Sequence, residues 1–400
     1  MSTQAPPAAV RVVTPSARRV DVLTALAVYA ATRVWGALII TRAAEQQLPS
    51  IWTEQQSGYF DLAQLWDAQW YKIIATQGYP LPLPMDAAGA VQQNAWAFFP
   101  GFPYSVKAVM AVTTLPFSPA AVLLNLVLGA CAVVVLLRLL QRVAGRRAGL
   151  GAVVLLCAVP SAPVLQIAYS ESLALLLLGL GLLWLVERRY LLTAVAVLLL
   201  ALTRPVSAPF AIVVLVHLVV RWRSRSTTGF PIRERVQVVA LGLFAAACSL
   251  LWPVLVQVIT GVPSAYTRIQ GAWRSGGAVQ QPFEQTLGIT RFLWGDRGPA
   301  WLALGSLCFV ALLLSPIGRP LGAELRAWCL AYPTYLLAVL EPWTSTFRYL
   351  LLLFPVLVLP GALRRVGPLL VLVLTVVGLA YQVRWVNELL VFVPPTDFPP

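Results

Sequence analysis

The sequence predicts an all-α polytopic membrane protein, and three observations carry that prediction. Hydrophobic residues make up 59% of the 400 and charged residues only 11%, against about a quarter charged in soluble globular domains. Apolar blocks recur from residue 20 to residue 381, and a helical span needs roughly 20 such residues. The basic residues gather at the ends of those blocks, as the positive-inside rule requires.

About eleven spans are predicted, at 20–40, 119–140, 150–168, 172–186, 190–203, 206–220, 236–259, 299–314, 325–340, 349–363 and 367–381. The first reads as an uncleaved anchor, because a basic start (Arg11, Arg18, Arg19) runs into an apolar segment with no small-residue cleavage site. Several blocks are short, so tilted or broken helices are expected. With the tail 1–19 in the cytoplasm, the inner loops hold 18 basic and 4 acidic residues, and the longer outer segments hold 10 basic and 11 acidic. That asymmetry orients the whole domain 20–385. It places the outer loops 42–118 and 260–298, the C-terminal tail 386–400 and any active site outside the cytoplasm, in a multi-pass plasma-membrane protein.

The stretch 98–115 looks like a further span, but counting it would invert every downstream loop, and it carries Pro100, Pro103 and Lys107. It reads as an interfacial helix on the outer leaflet. Residues 61–78 read the same way, with Leu62, Leu65, Trp66, Trp70 and Ile73 at helical spacing.

Several function classes drop out. The net charge of +14 belongs to the span ends, and no basic stretch is interleaved with aromatics to stack bases, so nucleic acid is not an expected partner. The five cysteines lie in apolar blocks without a CxxC pair and read as small core residues. A single histidine, His217, excludes histidine-based zinc sites and Ser-His-Asp catalysis. There is no DxD pair, so no cofactor is expected and a divalent metal is not indicated. No internal repeat is visible and only Arg33 is an ionisable residue in mid-span, which weighs against a transporter of two inverted halves or an ion-coupled pump.

The chemistry concentrates in Leu65-Trp66-Asp67-Ala68-Gln69-Trp70-Tyr71, in the first outer loop. One carboxylate among aromatics at a membrane surface suits transfer of a sugar from a lipid-linked donor. Attack by an acceptor hydroxyl needs a base for its proton. The departing phosphate needs cations rather than a general acid, unlike glycoside hydrolysis with its two carboxylates. Asp67 is the candidate base, with a place on a solvated helix face as the plain alternative and Asp61 as the runner-up acid. Trp66, Trp70 and Tyr71 suit stacking on sugar faces and equally suit anchoring an interfacial helix. Glu171, at the outer mouth before the fourth span, is either a site acid or a helix-dipole cap. Arg204 and Arg348, also at outer span ends, suit phosphate oxygens or snorkel to headgroups. Arg268, Arg274 and Arg291 are weaker candidates.

Taken in order, Trp66-Asp67-Ala68-Gln69-Trp70-Tyr71 with Gly78-Tyr79, Ala97-Phe98-Phe99-Pro100-Gly101-Phe102-Pro103, Tyr169-Ser170-Glu171-Ser172-Leu173, Leu202-Thr203-Arg204-Pro205, and Arg348-Tyr349 before Leu353-Phe354-Pro355 resemble the PIG-V family of mannosyltransferases in the GT-C superfamily. The region between residues 206 and 346 adds little to the match. The resemblance implies a GT-C-like fold, Asp67 as catalytic base, Tyr169 within the substrate-binding set, and inverting transfer of mannose or a related hexose from a polyprenyl-phosphate donor. Lysine occurs only at Lys72 and Lys107 in an Ala-, Val-, Leu- and Arg-rich chain, a composition typical of a GC-rich bacterium. The expected acceptor is therefore a cell-envelope glycolipid, a polysaccharide or a protein, with membrane lipids as the other partner. A transporter or flippase for a lipid-linked saccharide is the alternative; it would share the spans and arginines but has no need of Asp67.

Overall fold

The computed structural model describes residues 15–50, 52–53, 57–274, 277–392 and 399–400. Residues 1–14 of the expected cytoplasmic tail, Arg11 among them, and 393–398 of the expected C-terminal tail lie outside the described residues.

Lipid offers no hydrogen bonds, so each backbone group must find its partner within the protein, and a helix does this locally. Most of the apolar sequence is accordingly helical. The order is α1 (Pro15–Glu45), α2 (Tyr59–Leu62), α3 (Asp67–Gln77), α4 (Gly101–Thr113), α5 (Phe117–Ala144), α6 (Arg146–Ala158), α7 (Glu171–Val186), α8 (Tyr190–Ala201), α9 (Ser207–Arg223) and α10 (Arg225–Thr228). It continues through α11 (Ile232–Cys248), α12 (Leu251–Thr260), α13 (Ala265–Ala272), α14 (Glu284–Trp294), α15 (Gly298–Leu314), α16 (Gly322–Val339), α17 (Thr346–Tyr349), α18 (Val358–Ala362) and α19 (Gly367–Trp385). Helices α5, α6 and α7 form the centre, with α1 against α5 and α6, α8 against α7, α9 between α11 and α16, and α18 and α19 against α6.

The helices differ widely in length, as the short apolar blocks of the sequence lead one to expect. Among the described residues, four segments are long and apolar enough to cross a bilayer: Arg18–Glu45, Phe117–Ala144, Glu284–Leu314 and Gly367–Leu390. Helices α11 and α12 add a fifth if taken together, with a 44° bend at their junction. Pro253 sits in the first turn of α12, where no amide donor is needed. The remaining blocks are shorter helices or broken ones. The segment 260–298, expected as a polar loop, contains α13 and α14, and α14 runs through a 3-10 turn (Gly295–Arg297) into α15. Half of the most apolar window of Phe117–Ala144 is buried inside the protein, but only 11% of that of Glu284–Leu314. The first is thus a core helix, and the second presents its surface outward to lipid.

The break after α6 matters most for function. A continuous helix was expected over 150–168. Pro160 and Pro163 prevent it, since each lacks an amide donor; Pro160 also pushes its predecessor out of the helical region, and Val159 has φ −55°, ψ 151°. A short 3-10 turn, Ala162–Gln166, follows, and residues 161–170 are all buried. Irregular backbone at this depth is tolerated only when protein groups satisfy it. The Asn125 amide donates to the Tyr169 carbonyl (2.8 Å) and to that of Ile167. The Gln382 amide donates to the Cys157 and Val159 carbonyls (3.2 and 3.1 Å). Arg33, the mid-span arginine, donates to the Ala162 and Cys157 carbonyls, and the Ser172 hydroxyl to Leu165 (2.9 Å). Asn125→Leu would strand the buried Tyr169 carbonyl, at about 1–3 kcal/mol for an unsatisfied group, while the Ile167 carbonyl keeps the Tyr169 amide (2.7 Å). We expect a lower thermal midpoint for this variant in detergent; an unchanged midpoint would mean the irregular segment is held without Asn125.

At the same end of the bundle, the single surface helix expected over 61–78 is two. Helix α2 ends at Leu62, a turn covers residues 63–66, and α3 begins at Asp67. Asp61 and Asp67 therefore lie on different helices, and the Asp61 carboxylate accepts from the Gly58 amide (2.8 Å) as a local cap. The second expected surface helix is present as α4, 13 residues long or about 20 Å at 1.5 Å per residue, too short to cross a bilayer. It packs against α3 and α5, burying Phe102 and Val106.

Candidate functional site

Four charged side chains meet where the irregular segment reaches the turn before α3. Asp67 is the first residue of α3, where the helix dipole favours an acid. Glu171 is the first residue of α7, Arg204 lies in the hairpin between α8 and α9, and Arg348 lies on α17. The Arg348 guanidinium donates from one terminal nitrogen to Asp67 and from the other to Glu171 (3.0 Å). Arg204 donates to the same Glu171 oxygen and, through Nε, to the Ser170 hydroxyl (3.1 Å). Glu171 thus clamps both arginines, and the order across the site is Asp67, Arg348, Glu171, Arg204.

Aromatic rings floor this array. The Arg348 guanidinium lies 4.7 Å from the centre of the Tyr349 ring and 5.0 Å from that of Tyr169, while Arg204 lies 5.0 Å from the Tyr349 ring. Cation–π contacts of this kind strengthen when the pair is desolvated, as here. The Tyr169 hydroxyl donates to the Leu65 carbonyl (3.3 Å), and the Ala168 amide to the Ala63 carbonyl (2.8 Å). The irregular segment is therefore docked on the turn that presents Asp67. The Tyr71 hydroxyl donates to Ser170 (3.3 Å). Burial, reinforced by the Asp67 charge, pushes the Tyr71 phenol far up, so it stays a neutral donor.

Exposure is uneven in a way that sets roles. The Glu171 and Arg348 side chains are 1% and 3% exposed and Arg204 is 10%, but Asp67 is 22% exposed. One acid is locked between arginines, and the other reaches the surface with one oxygen paired. Among the described residues, the second Glu171 oxygen and Arg348 Nε have no hydrogen-bond partner, so the site retains hydrogen-bonding capacity at its centre. Among the described residues, no three His, Cys, Asp or Glu side chains cluster as metal ligands; here both acids face arginines.

All eight candidate residues from the sequence lie at this end of the bundle, but not all present themselves to a substrate. The Trp66 ring is turned into the protein: it is 7% exposed, packs edge-on against Trp52 and Phe392 (5.5 and 5.2 Å between ring centres), and donates from Nε1 to the Leu390 carbonyl (3.0 Å). Its ring is thus taken up by protein contacts. Tyr71 is buried at 6% between Phe98 and Phe102, and Tyr169 is fully buried beneath Arg348. Both support the charged groups rather than offering a ring face. Trp70 is half-buried against Phe98 and Trp273 and forms one wall of a cleft of about 300 Å³, with Gln77, Tyr79, Gln93 and Asn94. Of the three aromatics near Asp67, Trp70 is the most exposed. Arg268 and Arg274 instead donate to the carbonyls of Gly89 and Val339.

The sequence reading missed Tyr349, Ser170 and Asn125 as working parts. Asn125 left a signal, being the one carboxamide between Ser118 and Arg138 in an otherwise apolar helix; an isolated polar side chain at such depth marks something it must satisfy. The C-terminal segment, expected as an exposed tail, is partly buried: Leu390 and Val391 are in the core, and Phe392 joins the Trp52–Trp66 cluster.

No protein-family model matches the chain, and no curated protein matches it. Solved structures similar to it include the oligosaccharyltransferase of Archaeoglobus fulgidus tethered to an acceptor peptide containing the NVT sequon, at 12% identity and TM-score 0.42, covering 90% of this chain and 55% of that one. The same enzyme in complex with Zn and sulfate aligns at 15% identity and TM-score 0.33, over 89% and 48%. The chain thus spans about half the length of these structures. At such scores the likeness carries no argument, and function rests on the site.

Proposed function

We propose that this protein is an integral membrane glycosyltransferase of GT-C type. It moves mannose or a related hexose from a polyprenyl-phosphate donor to an acceptor hydroxyl, with inversion, on the extracytoplasmic face of the plasma membrane. One observation carries the reading: a single surface-reaching carboxylate, Asp67, is paired to an arginine whose other nitrogen is locked, through buried Glu171, to a second arginine. In the proposed step the acceptor oxygen forms a bond to the anomeric carbon and its proton passes to Asp67. The bond from that carbon to the phosphate oxygen breaks, and the electron pair leaves with polyprenyl phosphate. Arg348 and Arg204 face the charge that grows on that phosphate. The acceptor is a cell-envelope glycolipid, polysaccharide or protein. The outward placement of the site is supported by the charge asymmetry of the loops, 18 basic residues on one side against 10 on the other.

The test uses purified protein in nanodiscs with radiolabelled polyprenyl-phosphate-mannose and envelope lipid extract. Label moving into a new glycosidic product supports the reading. Label crossing the bilayer on an unchanged donor would point to a flippase. Arg204→Gln is expected to raise the donor KM about tenfold, the scale of one charge-assisted hydrogen bond of roughly 1.5 kcal/mol, with the acceptor KM unchanged.

A further inference from the structure

The residue that aims Asp67 has a backbone conformation that a tryptophan rarely adopts. Trp66 has φ 59° and ψ −122°, a region open mainly to glycine. It caps α3 without a side-chain hydrogen bond, so capping does not explain the conformation. Strained backbone persists only where its surroundings over-determine it, and here those surroundings can be named. On one side, Ala168 and Tyr169 bind the carbonyls of Ala63 and Leu65. On the other, the Trp66 ring is held by the C-terminal segment through Leu390 and Phe392.

That segment is itself fixed. Helix α19 passes into a π-turn, Val386–Leu390, closed by the Val391 amide on the Val386 carbonyl (3.1 Å). The Leu390 carbonyl is thereby left to accept the Trp66 indole. Next, Phe392 pairs reciprocally with buried Gln47 just beyond α1: the Gln47 amide donates to the Phe392 carbonyl (2.7 Å), and the Phe392 amide donates to Gln47 Oε1 (2.9 Å). Trp52 completes the cage, 5.0 Å from the Phe392 ring. Among the described residues, no hydrogen bond, ion pair or ring contact joins Leu390, Phe392, Gln47 or Trp52 to the four charged side chains. They reach Asp67 through the Trp66 backbone, whose φ and ψ set the direction of the first turn of α3.

We propose that Trp66 is a positioning residue and that Leu390–Phe392, clamped by Gln47, holds it in its positive-φ conformation so that the Asp67 carboxylate meets Arg348. This inference rests on the transferase reading for its kinetic consequence, but the coupling it describes is structural and is read separately. Releasing the clamp lets residue 66 relax to ordinary dihedrals and swings Asp67 off its partner.

The decisive experiment compares wild type with Phe392→Ala, Trp66→Ala, Trp66→Gly and Trp66→Phe in nanodiscs. Arg384→Ala serves as a control, since it removes only an exposed pair with Glu388. Hydrogen exchange of the 66–70 amides is expected to rise in Phe392→Ala and to stay at the wild-type level in Arg384→Ala, with α7 unchanged in both. A misplacement of about 1 Å can cost a hundredfold in rate, so kcat in Phe392→Ala and Trp66→Ala is expected to fall between about tenfold and a hundredfold with both KM values nearly unchanged. Trp66→Gly should regain part of the Trp66→Ala loss because glycine takes this conformation freely, and Trp66→Phe should fall between Ala and wild type. A ring that stacked on substrate would instead raise a KM, with Gly no better than Ala; that pattern overturns the proposal. Unchanged 66–70 exchange in Phe392→Ala also overturns it. If wild type shows no Asp67-dependent transfer, the transferase reading fails, and the exchange result decides the positioning claim alone.

Discussion

Asp67→Asn is expected to lower transfer by about 10²–10⁴-fold, the usual contribution of a positioned general base, while leaving the folded protein intact. Asparagine keeps the shape of the side chain at the start of α3, and its carbonyl oxygen still accepts from Arg348. The proton acceptor and the negative charge are what disappear. Arg348 loses one of its two anionic partners, so the site becomes more positive and donor affinity should hold or tighten. Arg348→Gln should do the reverse, weakening donor binding and turnover together. The opposite signs in donor binding separate a base from a residue that merely holds the site together. The checks are initial rates with radiolabelled donor and equilibrium donor binding for both variants. Transfer by Asp67→Asn within tenfold of wild type would remove Asp67 as the base.

Glu171→Ala is expected to be the most destabilising single change in the site. Its carboxylate is 1% exposed and touches both Arg204 and Arg348. Removing one member of a buried ionic group leaves the others uncompensated, at about 3–5 kcal/mol. Here two guanidiniums lose their shared anion and repel one another in a region of low dielectric. Glu171→Gln retains the volume and one acceptor and should lose less. The thermal midpoints in detergent should order as wild type, Gln, then Ala. Equal midpoints for wild type and Ala would mean that the arginines are held by their rings and by Asp67 alone. The activity of both variants should fall as well, because Glu171 fixes the spacing of the two arginines that the proposed mechanism sets against one phosphate.

The membrane class and the helical blocks followed from the sequence by itself, because apolar length and charge asymmetry are properties of short windows and need no knowledge of what packs where. The identity of the four charged residues was legible for a related reason. Charges are rare in this chain, and those sharing one predicted face of the membrane form a short set of candidates. The charge asymmetry also turned the apolar stretch 98–115 from a span into the surface helix α4. Helical periodicity failed over 61–78, where the pattern continues through Trp66 but the backbone reverses at its positive φ, a conformation that only surrounding contacts can enforce.

Tertiary structure alone decided which candidates touch. Asp67 and Arg348 are 281 residues apart, and Glu171 and Arg348 177 apart. Such pairings depend on how all the intervening helices pack, which no local window contains. The same holds for the break after α6: proline forbids a helix there, but Asn125, Arg33 and Gln382, from three other helices, are among the groups that make the irregular path affordable. It holds most plainly for the end of the chain, whose apolar composition has no meaning in isolation and acquires one where Phe392 closes on Trp66 beside the candidate base.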